Sequence, residues 1–425
     1  MKQALPPLSP ASLAALPDEE LLEAVQRQTF RYFWEGAHPQ SGLALDRRGP
    51  GDHADDRAAV GGSGFGVMCV IVAAERRWIT RTAALERLHR MLAVLVRAPC
   101  YHGALPHFID GRSGATLPFT RKDDAADLVE TSFLVMGLLC ARQYFQSEEP
   151  AEQRLRGLVD YLWRDVEWNW FTRGRDALSW HWSPNNGWAM NLEIRGWNEC
   201  LITYVLAVAS PRYAVDPSVY HRGYATGREF LNGRRHYDIE LPLGPGSGGP
   251  LYFAHYSFLG LDPRGLKDRY ADYWEQNVAQ VRINRAHCVA NAKQHVGYGP
   301  ACWGLTSSDG PDGYAGHAPA YDDGTIAPTA AISSLPYAPA ESLGAMRHFL
   351  KSHGARLWGR YGFADAFNEA RGWYADTTLA IDQGPIVVMI ENHRSSLLWN
   401  LFMAVPEVQS ALRRLEFSSP HFTRR

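Results

Sequence analysis

The 425-residue chain has no surplus of charge of either sign and no dense run of lysine and arginine. Lys and Arg total 43 against 45 Asp and Glu, which gives a formal net charge of −2. Nucleic-acid binding requires a positive field that neutralises phosphates, so we expect no nucleic-acid partner. Charged residues make up only 21% of the chain and hydrophobic residues 46%, which excludes disorder as the main state and allows a large core.

Paired cysteines and long apolar runs are also missing. The six cysteines stand far apart without a C-x-x-C pair, so their spacing predicts neither a disulfide framework nor a zinc site. No uninterrupted apolar window of about 18 residues occurs, and we expect no membrane span. The N-terminus lacks an apolar signal-peptide core, which indicates a cytoplasmic protein, or a periplasmic one whose export signal has been replaced by Met1. The sequence does not decide between these compartments.

The motifs of several common enzyme classes are absent. The sequence contains no nucleophile elbow, no H-E-x-x-H and no Walker sequence, which removes the usual support for a serine hydrolase, metalloprotease or NTPase. The glycine-rich stretch 244–249 lacks a following Lys-Ser/Thr, and the acidic stretch 309–323 lacks the EF-hand pattern. We therefore expect no metal and no cofactor.

Aromatic residues, in contrast, are abundant. The chain has 14 Trp, 19 Tyr and 17 Phe, and many lie in stretches rich in Gly, Pro and His that are not typical of packed helix. Aromatic residues also fill cores, which explains part of this number. Flat rings beside acidic and amide groups suit a neutral, polyhydroxylated ligand, because the C–H faces of sugars stack on rings while the hydroxyls take hydrogen bonds. The composition thus indicates carbohydrate.

Apolar periodicity predicts an all-α protein of about a dozen helices. Residues 1–17 contain four prolines and are expected to be a loose arm, followed by one domain over 18–425. Three long loops, 169–192, 241–264 and 295–326, are expected to be functional. Short loops alternating with long ones suggest an α/α toroid with its long loops on one face, although periodicity alone does not distinguish this from an irregular bundle. The predicted helical segments are 18–35, 64–78, 80–97, 124–145, 151–168, 193–209, 266–289, 327–335, 340–353, 378–392, 395–402 and 406–415.

Cleavage of a glycosidic bond without a metal needs two carboxyl groups, one protonated and one ionised. Asp123, Asp127 and Glu130 can share one face at the start of a predicted helix. Acidic residues also favour helix N-termini for purely electrostatic reasons, so a structural role for them stays open.

Glu199 is a sharper candidate because it lies beside Trp197 and directly before an apolar run. Partial burial would raise its pKa, although Arg195 would lower the pKa or form a structural pair with it. Asp382 also has apolar neighbours, but it precedes Gly384-Pro385, where a carboxylate can simply cap a helix. Catalytic and structural roles stay open for both acids.

Seven strings of the sequence, in order, resemble the glucoamylase-like glycoside hydrolases, and the closest likeness is to glycoside hydrolase family 144, whose members act on β-1,2-glucan. The strings are FRYFWEGAHP (30–39), GGSGFG (61–66), KDDAADLVETSF (122–133), HWSPN (181–185), RGWNE (195–199), FAHYSFLG (253–260) and IDQGP (381–385). One departure is Ala125-Ala126, where relatives commonly have Gly-Gly. The resemblance covers residues 20–416 and implies an (α/α)6 barrel that hydrolyses β-1,2-linked glucose with inversion, either internally or by releasing sophorose and short sophorooligosaccharides.

The resemblance also implies roles for residues. The acids of the cleft match Asp123, Asp127, Glu199 and Asp382; Glu199 would be the general acid, and Asp123 or Asp127 the base, acting directly or through water. At least two of five tryptophans are expected to line the cleft: Trp180, Trp182, Trp188, Trp197 and Trp373. The full set of expected substrate-binding residues is Trp182, Trp188, Arg195, Trp197, His255, Tyr256 and Gln383.

The sequence alone does not exclude two other functions. A helical toroid also serves polysaccharide lyases, in which Tyr256 would act as the base and Arg195 would neutralise a uronate. A non-catalytic glucan-binding protein would keep the aromatic and amide groups, but simple binding needs no proton-transfer pair. The expected partner is β-1,2-glucan or a sophorooligosaccharide, and the protein is expected to be a monomer.

Overall fold

Helices dominate the computed structural model, which describes residues 8–49, 56–227 and 229–422. The α-helices of this part of the chain are α1 (Pro10–Ala14), α2 (Asp18–Trp34), α3 (Val60–Glu75), α4 (Arg81–Leu95), α5 (Leu128–Tyr144), α6 (Pro150–Arg164), α7 (Leu201–Ala209), α8 (Tyr273–Ala290), α9 (Pro328–Ser333), α10 (Pro339–His348), α11 (Gly354–Leu357), α12 (Ala380–Ser395), α13 (Leu397–Met403) and α14 (Pro406–Arg414). Short 3₁₀ turns lie at Trp170–Thr172, Leu251–Ala254 and Ser257–Leu259, and π-helical turns at Tyr220–Tyr224 and Phe349–His353. The helix-rich class predicted from periodicity is therefore confirmed.

Short antiparallel ribbons connect these helices, and the sequence did not predict them. Most strands have only two or three residues, too few for a period-2 pattern to be visible. The ribbons are Arg47–Arg48 with Thr378–Leu379; Arg57–Ala59 with Phe108–Asp110 and Thr116–Leu117; Ala126–Asp127 with His181–Trp182; Leu231–His236 with Ile239–Leu243; Thr325–Ile326 with Phe367–Asn368 and Trp373–Tyr374; and Trp358–Gly359 with Gly362–Phe363.

The central helices are apolar on every side, and a second set of amphipathic helices packs around them. In α3 residues 60–74 are all buried, and in α5 residues 128–142 are all buried, as expected for helices without a solvent-facing side. Helix α3 packs between α5 and α12, α5 also contacts α7, and α12 also contacts α9. On the outside, α6 contacts α4 and α5, and α14 contacts α7.

Helices α3 and α5 approach each other so closely that only glycine fits at the crossing. A Cβ on Gly137 would overlap the carbonyl oxygen of Gly64, and a Cβ on Gly64 would overlap that of Phe133. The missing side chains let the two backbones touch, which fixes the positions of both helices.

Three central helices begin at the same end of the bundle. The Glu130 side chain, in the first turn of α5, accepts a 2.7 Å hydrogen bond from the backbone N–H of Gly61 in the first turn of α3. A Cβ on Gly62 would lie 2.8 Å from the Cβ of Ala380, the first residue of α12. The N-termini of α3, α5 and α12 are therefore neighbours, and the acidic residues predicted to be functional lie there.

Some predicted boundaries were wrong. Residues 10–14, assigned to a loose arm, form α1 and bury Leu13 and Ala14, and the Arg347 guanidinium donates to the carbonyl of Ala14 at 2.6 Å. Residues 1–7 of the predicted arm lie outside the described residues. Every helix in the described ranges is too short or too polar to cross a bilayer.

Candidate active site

Asp127 is the N-cap of α5, and its carboxylate is completely buried. One oxygen, Oδ1, accepts the N–H groups of Val129 at 3.0 Å and Glu130 at 2.9 Å. The other, Oδ2, lies 3.0 Å from Nδ1 of His107. Although burial opposes ionisation, the hydrogen bonds from His107 and His181 hold the pKa of Asp127 well below its usual range. Asp127 is therefore an ionised carboxylate whose two oxygens are both engaged.

His181 joins Asp127 to Asp123. The strand pair Ala126–Asp127 and His181–Trp182 sets His181 opposite Asp127. Nε2 of His181 lies 3.2 Å from Oδ2 of Asp123 and 3.6 Å from Oδ2 of Asp127. Burial lowers the pKa of His181, but the two aspartates outweigh it and raise that pKa to about 9. The same balance of burial against nearby carboxylates raises the pKa of His107 to about 10.

A metal could in principle use part of this cluster. Candidate ligand atoms of His107, Asp123 and Asp127 all lie within 4.8 Å of one another. A metal ligand must be an unprotonated imidazole, whereas the carboxylates here favour protonated histidines. The cluster is thus better described as a buried network of ion pairs that fixes the start of α5.

Glu199 lies in the turn that leads into α7, next to this network. Its side chain is buried, and the Ser257 hydroxyl donates to its backbone carbonyl while accepting the N–H of Ile202 at 3.0 Å. Burial raises the pKa of Glu199 to about 7, and the charges of Glu130 and Asp127 contribute in the same direction. A carboxyl with this pKa is half protonated at neutral pH and can donate a proton.

Glu130 has a similar environment. Burial and the neighbouring Asp127 raise its pKa to about 7, against the opposing charge of His107. Its bond to the Gly61 N–H ties it to the start of α3, so Glu130 connects two helices as well as lying beside Glu199.

A second acidic group is formed by Asp382, in the first turn of α12, and Asp365. Burial and the charge of Asp365 raise the pKa of Asp382 well above its usual range. Burial likewise raises the pKa of Asp365 to about 7, although the N–H of Asp309 donates to its Oδ2 at 2.6 Å. Two adjacent carboxyls of this kind share one proton and carry one negative charge. Sequence reasoning missed Asp365, because a single aspartate in the string GFADAF carries no motif.

Tyr256 is close to both acidic groups. Its ring packs against Phe65 and Phe133, with ring centres 5.3 and 5.6 Å away. Burial raises its pKa well above the usual value, and the charges of both Asp382 and Glu199 contribute to the rise. The phenol therefore stays protonated, which disfavours the role of base that a lyase would require of it.

The predicted tryptophans divide into two sets. Trp180, Trp182 and Trp188 are half-buried in the loop beside His181, and Trp180 stacks on the His181 ring at 5.8 Å. Trp197 instead lies in the core, only 2% exposed, where its Nε1 donates to Gln280 at 3.2 Å. The prediction that Trp197 lines the cleft is wrong, because Gly196, at φ +79°, turns the chain and directs the next residue inward.

Three other predicted substrate-binding side chains have protein partners. Gln383 is fully buried, and its side-chain amide donates to the carbonyl of Phe363 at 2.7 Å. Buried His255 lies 3.0 Å from the Ser334 hydroxyl, and burial lowers the pKa of its imidazole to about 3. Arg195 pairs with Glu193 at 2.6 Å and donates to a backbone carbonyl, so it is not a free guanidinium for a uronate.

Buried carboxyls with opposite pKa shifts at the end of a helical bundle are typical of glycoside hydrolases. Comparison with known proteins agrees. A family model described as "Putative glucoamylase" matches residues 191–406. The chain is 44% identical to an exo β-1,2-glucooligosaccharide sophorohydrolase (non-reducing end) of Parabacteroides distasonis, over 96% of this chain and 59% of that protein. The chain thus spans about three fifths of that relative's length.

Solved structures extend this likeness over nearly the whole chain. An endo-β-1,2-glucanase from Chitinophaga pinensis, in complex with sophorotriose and glucose, is 48% identical with a TM-score of 0.93, covering 96% of this chain and 100% of that one. A "putative glucoamylase" from Bacteroides uniformis is 55% identical with a TM-score of 0.94, covering 96% and 99%. The chain belongs to the glucoamylase-like family, which confirms the resemblance indicated by its sequence motifs.

Proposed function

We propose that the protein is a glycoside hydrolase that cleaves β-1,2-linked glucan, with Glu199 as the general acid. One observation carries this proposal: Glu199 is a buried carboxyl with a pKa of about 7, and Tyr256 is close both to it and to Asp382 of the second pair of carboxyls. An acid that is half protonated at neutral pH, opposed by a group with one negative charge, is what hydrolysis of a glycosidic bond requires. The reaction needs no cofactor.

The base is proposed to be Asp382, with Asp365 as the partner that shares its proton. Asp127 was one expected base, but both of its oxygens are occupied by the helix start and by histidine. Asp123, the other, has one oxygen paired with His181. Oδ2 of Asp382 is buried and receives no hydrogen bond from a described N–H or hydroxyl group, so its capacity to accept a proton is not used within the protein. We therefore assign Asp123 and Asp127 to fixing the acidic end of α5.

The substrate class follows from the aromatic lining and from the relatives. Half-buried tryptophans beside the acids offer stacking faces for sugar rings. The two relatives with functional names act on β-1,2-glucooligosaccharides from the non-reducing end and on β-1,2-glucan internally. We propose the same linkage here, with release of sophorose or short sophorooligosaccharides, and action by a monomer.

We further propose that the helices close into an (α/α)6 barrel with the long loops on one face. Contacts run from α7 to α5, α3, α12 and α9. Between α9 and α7 the circuit is continued by the 3₁₀ turns Leu251–Ala254 and Ser257–Leu259. Ser257–Leu259 contacts α7, and the Tyr337 hydroxyl donates to the carbonyl of Ala254 at 3.0 Å. A closed ring would gather the N-termini of its inner helices, which suits the position of the acids.

The test is a product assay of the purified protein on β-1,2-glucan, β-1,3-glucan, β-1,4-glucan and α-1,4-glucan. We expect sophorose or short sophorooligosaccharides from β-1,2-glucan alone. An unsaturated product that absorbs ultraviolet light would instead demonstrate a lyase. Binding of the polymer without any product would demonstrate a glucan-binding protein, and either result would refute the proposal.

A further inference from the structure

A cluster of aromatic rings lies beyond the acids, in and beside the loop that follows α6. It lines an open cavity of about 560 Å³. Residues around this cavity include Glu167, Asn169, Trp170, Arg173, Trp188 and Tyr213. We call the two indole rings at its centre, Trp170 and Trp188, the distal platform. Trp188 is one of the half-buried tryptophans that offer stacking faces beside the acids, whereas Trp170 has no part in the catalytic site proposed above.

The Trp170 ring is exposed yet held in place. Its side chain is 40% exposed, which is unusual for so large an apolar group. His102 stacks on it with ring centres 3.8 Å apart and an interplanar angle of 15°. Trp182 meets it edge to face at 6.1 Å, and Trp188 lies 6.2 Å away at 33°. An exposed indole fixed by three rings is already ordered, so a ligand that stacks on it loses little side-chain entropy.

The rim of the cavity is polar: Glu167 is its acidic side chain, Arg173 and Arg175 are its basic ones, and Arg175 is paired with Glu193 at 3.4 Å. Glu167 contacts Nδ1 of His102 at 2.9 Å, and Arg173 lies 4.9 Å above the Trp188 ring and donates to Asn191 at 3.1 Å. The exposed amide of Asn169 adds both a donor and an acceptor. Such a rim offers hydrogen bonds to hydroxyl groups without the excess of one charge that would select an ionic ligand.

The distal platform is continuous with the acids through Trp182. This residue follows His181, whose Nε2 lies 3.2 Å from Asp123, and it pairs across the ribbon with Ala126, the neighbour of Asp127. Trp182 therefore connects the two groups: it is the residue after His181, and its ring contacts the ring of Trp170. The distal platform therefore lies on the same side of the acidic cluster as the strand His181–Trp182.

We propose that the distal platform is a subsite for a glucose unit of the substrate chain, remote from the bond that is cleaved. This inference rests on the proposed function, because it takes the ligand to be the same glucan. Trp170 and Trp188 supply the stacking faces, and Glu167, Asn169 and Arg173 bind hydroxyl groups. The subsite makes the enzyme prefer long chains over short ones.

The experiment compares kcat/KM on polymeric β-1,2-glucan with kcat/KM on its trisaccharide. Trp170→Ala is expected to lower the ratio of these two values roughly 3- to 10-fold, the size of one lost ring contact. Trp170→Phe keeps a flat face and should restore most of the ratio. Tyr161→Ala, which removes an exposed aromatic ring on α6 outside the cavity, is the matched control and should leave the ratio as in the wild type.

A second readout measures binding apart from turnover. In the Glu199→Gln background, Trp170→Ala should weaken binding of polymeric β-1,2-glucan, measured by calorimetry, more than binding of the trisaccharide. Equal losses on both ligands, or no loss on either, would overturn the distal subsite. If the wild-type protein cleaves no β-1,2-glucan of any length, the proposed function itself has failed, and this result is distinct from the first.

Discussion

At the scale of single residues, burial decides which carboxyl groups carry protons. Burial raises the pKa of both Glu199 and Asp365 to about 7, and the backbone hydrogen bonds that oppose this rise are too weak to cancel it. Asp127 is at least as deeply buried, yet two helix N–H groups and two histidines keep it ionised. The same residue chemistry therefore gives a proton donor at the start of α7 and a permanent anion at the start of α5.

Replacing Glu199 tests the donor directly. Glu199→Gln keeps the shape of the side chain but has no proton to transfer, so we expect kcat on β-1,2-glucan to fall about 10²- to 10⁴-fold. The melting temperature should stay close to that of the wild type, because an amide is no costlier to bury than a carboxyl. Glu86→Gln, on the exposed side of α4, is the matched control. Near-normal turnover by Glu199→Gln would show that another group is the acid.

The pH dependence of kcat/KM follows from the same residue. Glu199 must be protonated to act, and burial raises its pKa to about 7. A rise in pH through this value removes the proton, so activity should decrease about tenfold per pH unit on the alkaline side. Rates measured from pH 5 to 9 check this limb. An activity that stays constant up to pH 9 would contradict the assignment of Glu199 as the acid.

The sequence could predict these residues only where a local pattern exists. Asp123, Asp127, Glu199 and Asp382 all lie in motif strings; the structure places Asp127, Glu199 and Asp382 at the starts of helices and Asp123 in the loop that leads to α5. Asp365 has no such signal, since its importance comes from a contact with α12. Trp197 was misassigned for the opposite reason: its neighbours look like a binding motif, but a left-handed glycine turns the ring into the core.

At the scale of elements, apolar periodicity found most of the helices but placed the starts of α5 and α7 too early. Helix α5 was predicted from residue 124 and begins at Leu128, because Asp127 is the cap and the preceding residues belong to a loop and a ribbon. Helix α7 was predicted from 193 and begins at Leu201, after the turn that carries Glu199. These early boundaries share one cause. The loops before the helices are themselves rich in apolar and aromatic residues, so the periodic pattern begins before the true start of each helix.

The contact between α3 and α5 gives a prediction at this scale. Gly137→Ala places a methyl group against the carbonyl oxygen of Gly64, and we expect the free energy of unfolding to fall by about 3 kcal/mol or more. Gly157→Ala on α6 is the control, because a Cβ there meets nothing within 4 Å. That change should instead stabilise the helix by about 0.5–1 kcal/mol. Chemical denaturation of both variants measures the difference, and equal stabilities would mean that the two helices separate at little cost.

At the scale of the whole molecule, the arrangement of helices separates the acid from the base. Glu199 precedes α7, while Asp382 belongs to α12, and both helices contact the Ser257–Leu259 turn. Tyr256 is close to both acids, since both charges act on its phenol. Groups carried by two different helices can hold a sugar and a water between them, which a pair on adjacent turns of one helix cannot do.

This separation predicts the stereochemical course of the reaction. An inverting glycosidase keeps its two carboxyl groups roughly 6.5–9.5 Å apart to leave room for water, whereas a retaining one holds them about 5–5.5 Å apart. With acid and base on different helices, we expect inversion, so the first product of a β-linked glucan should have the α configuration. Proton NMR of the anomeric signals in the first minutes of hydrolysis, before mutarotation, distinguishes the two outcomes. Early appearance of the β-anomer would exclude the inverting mechanism and would require Glu199 or its partner to form a glycosyl ester, while the assignment to the family would stand.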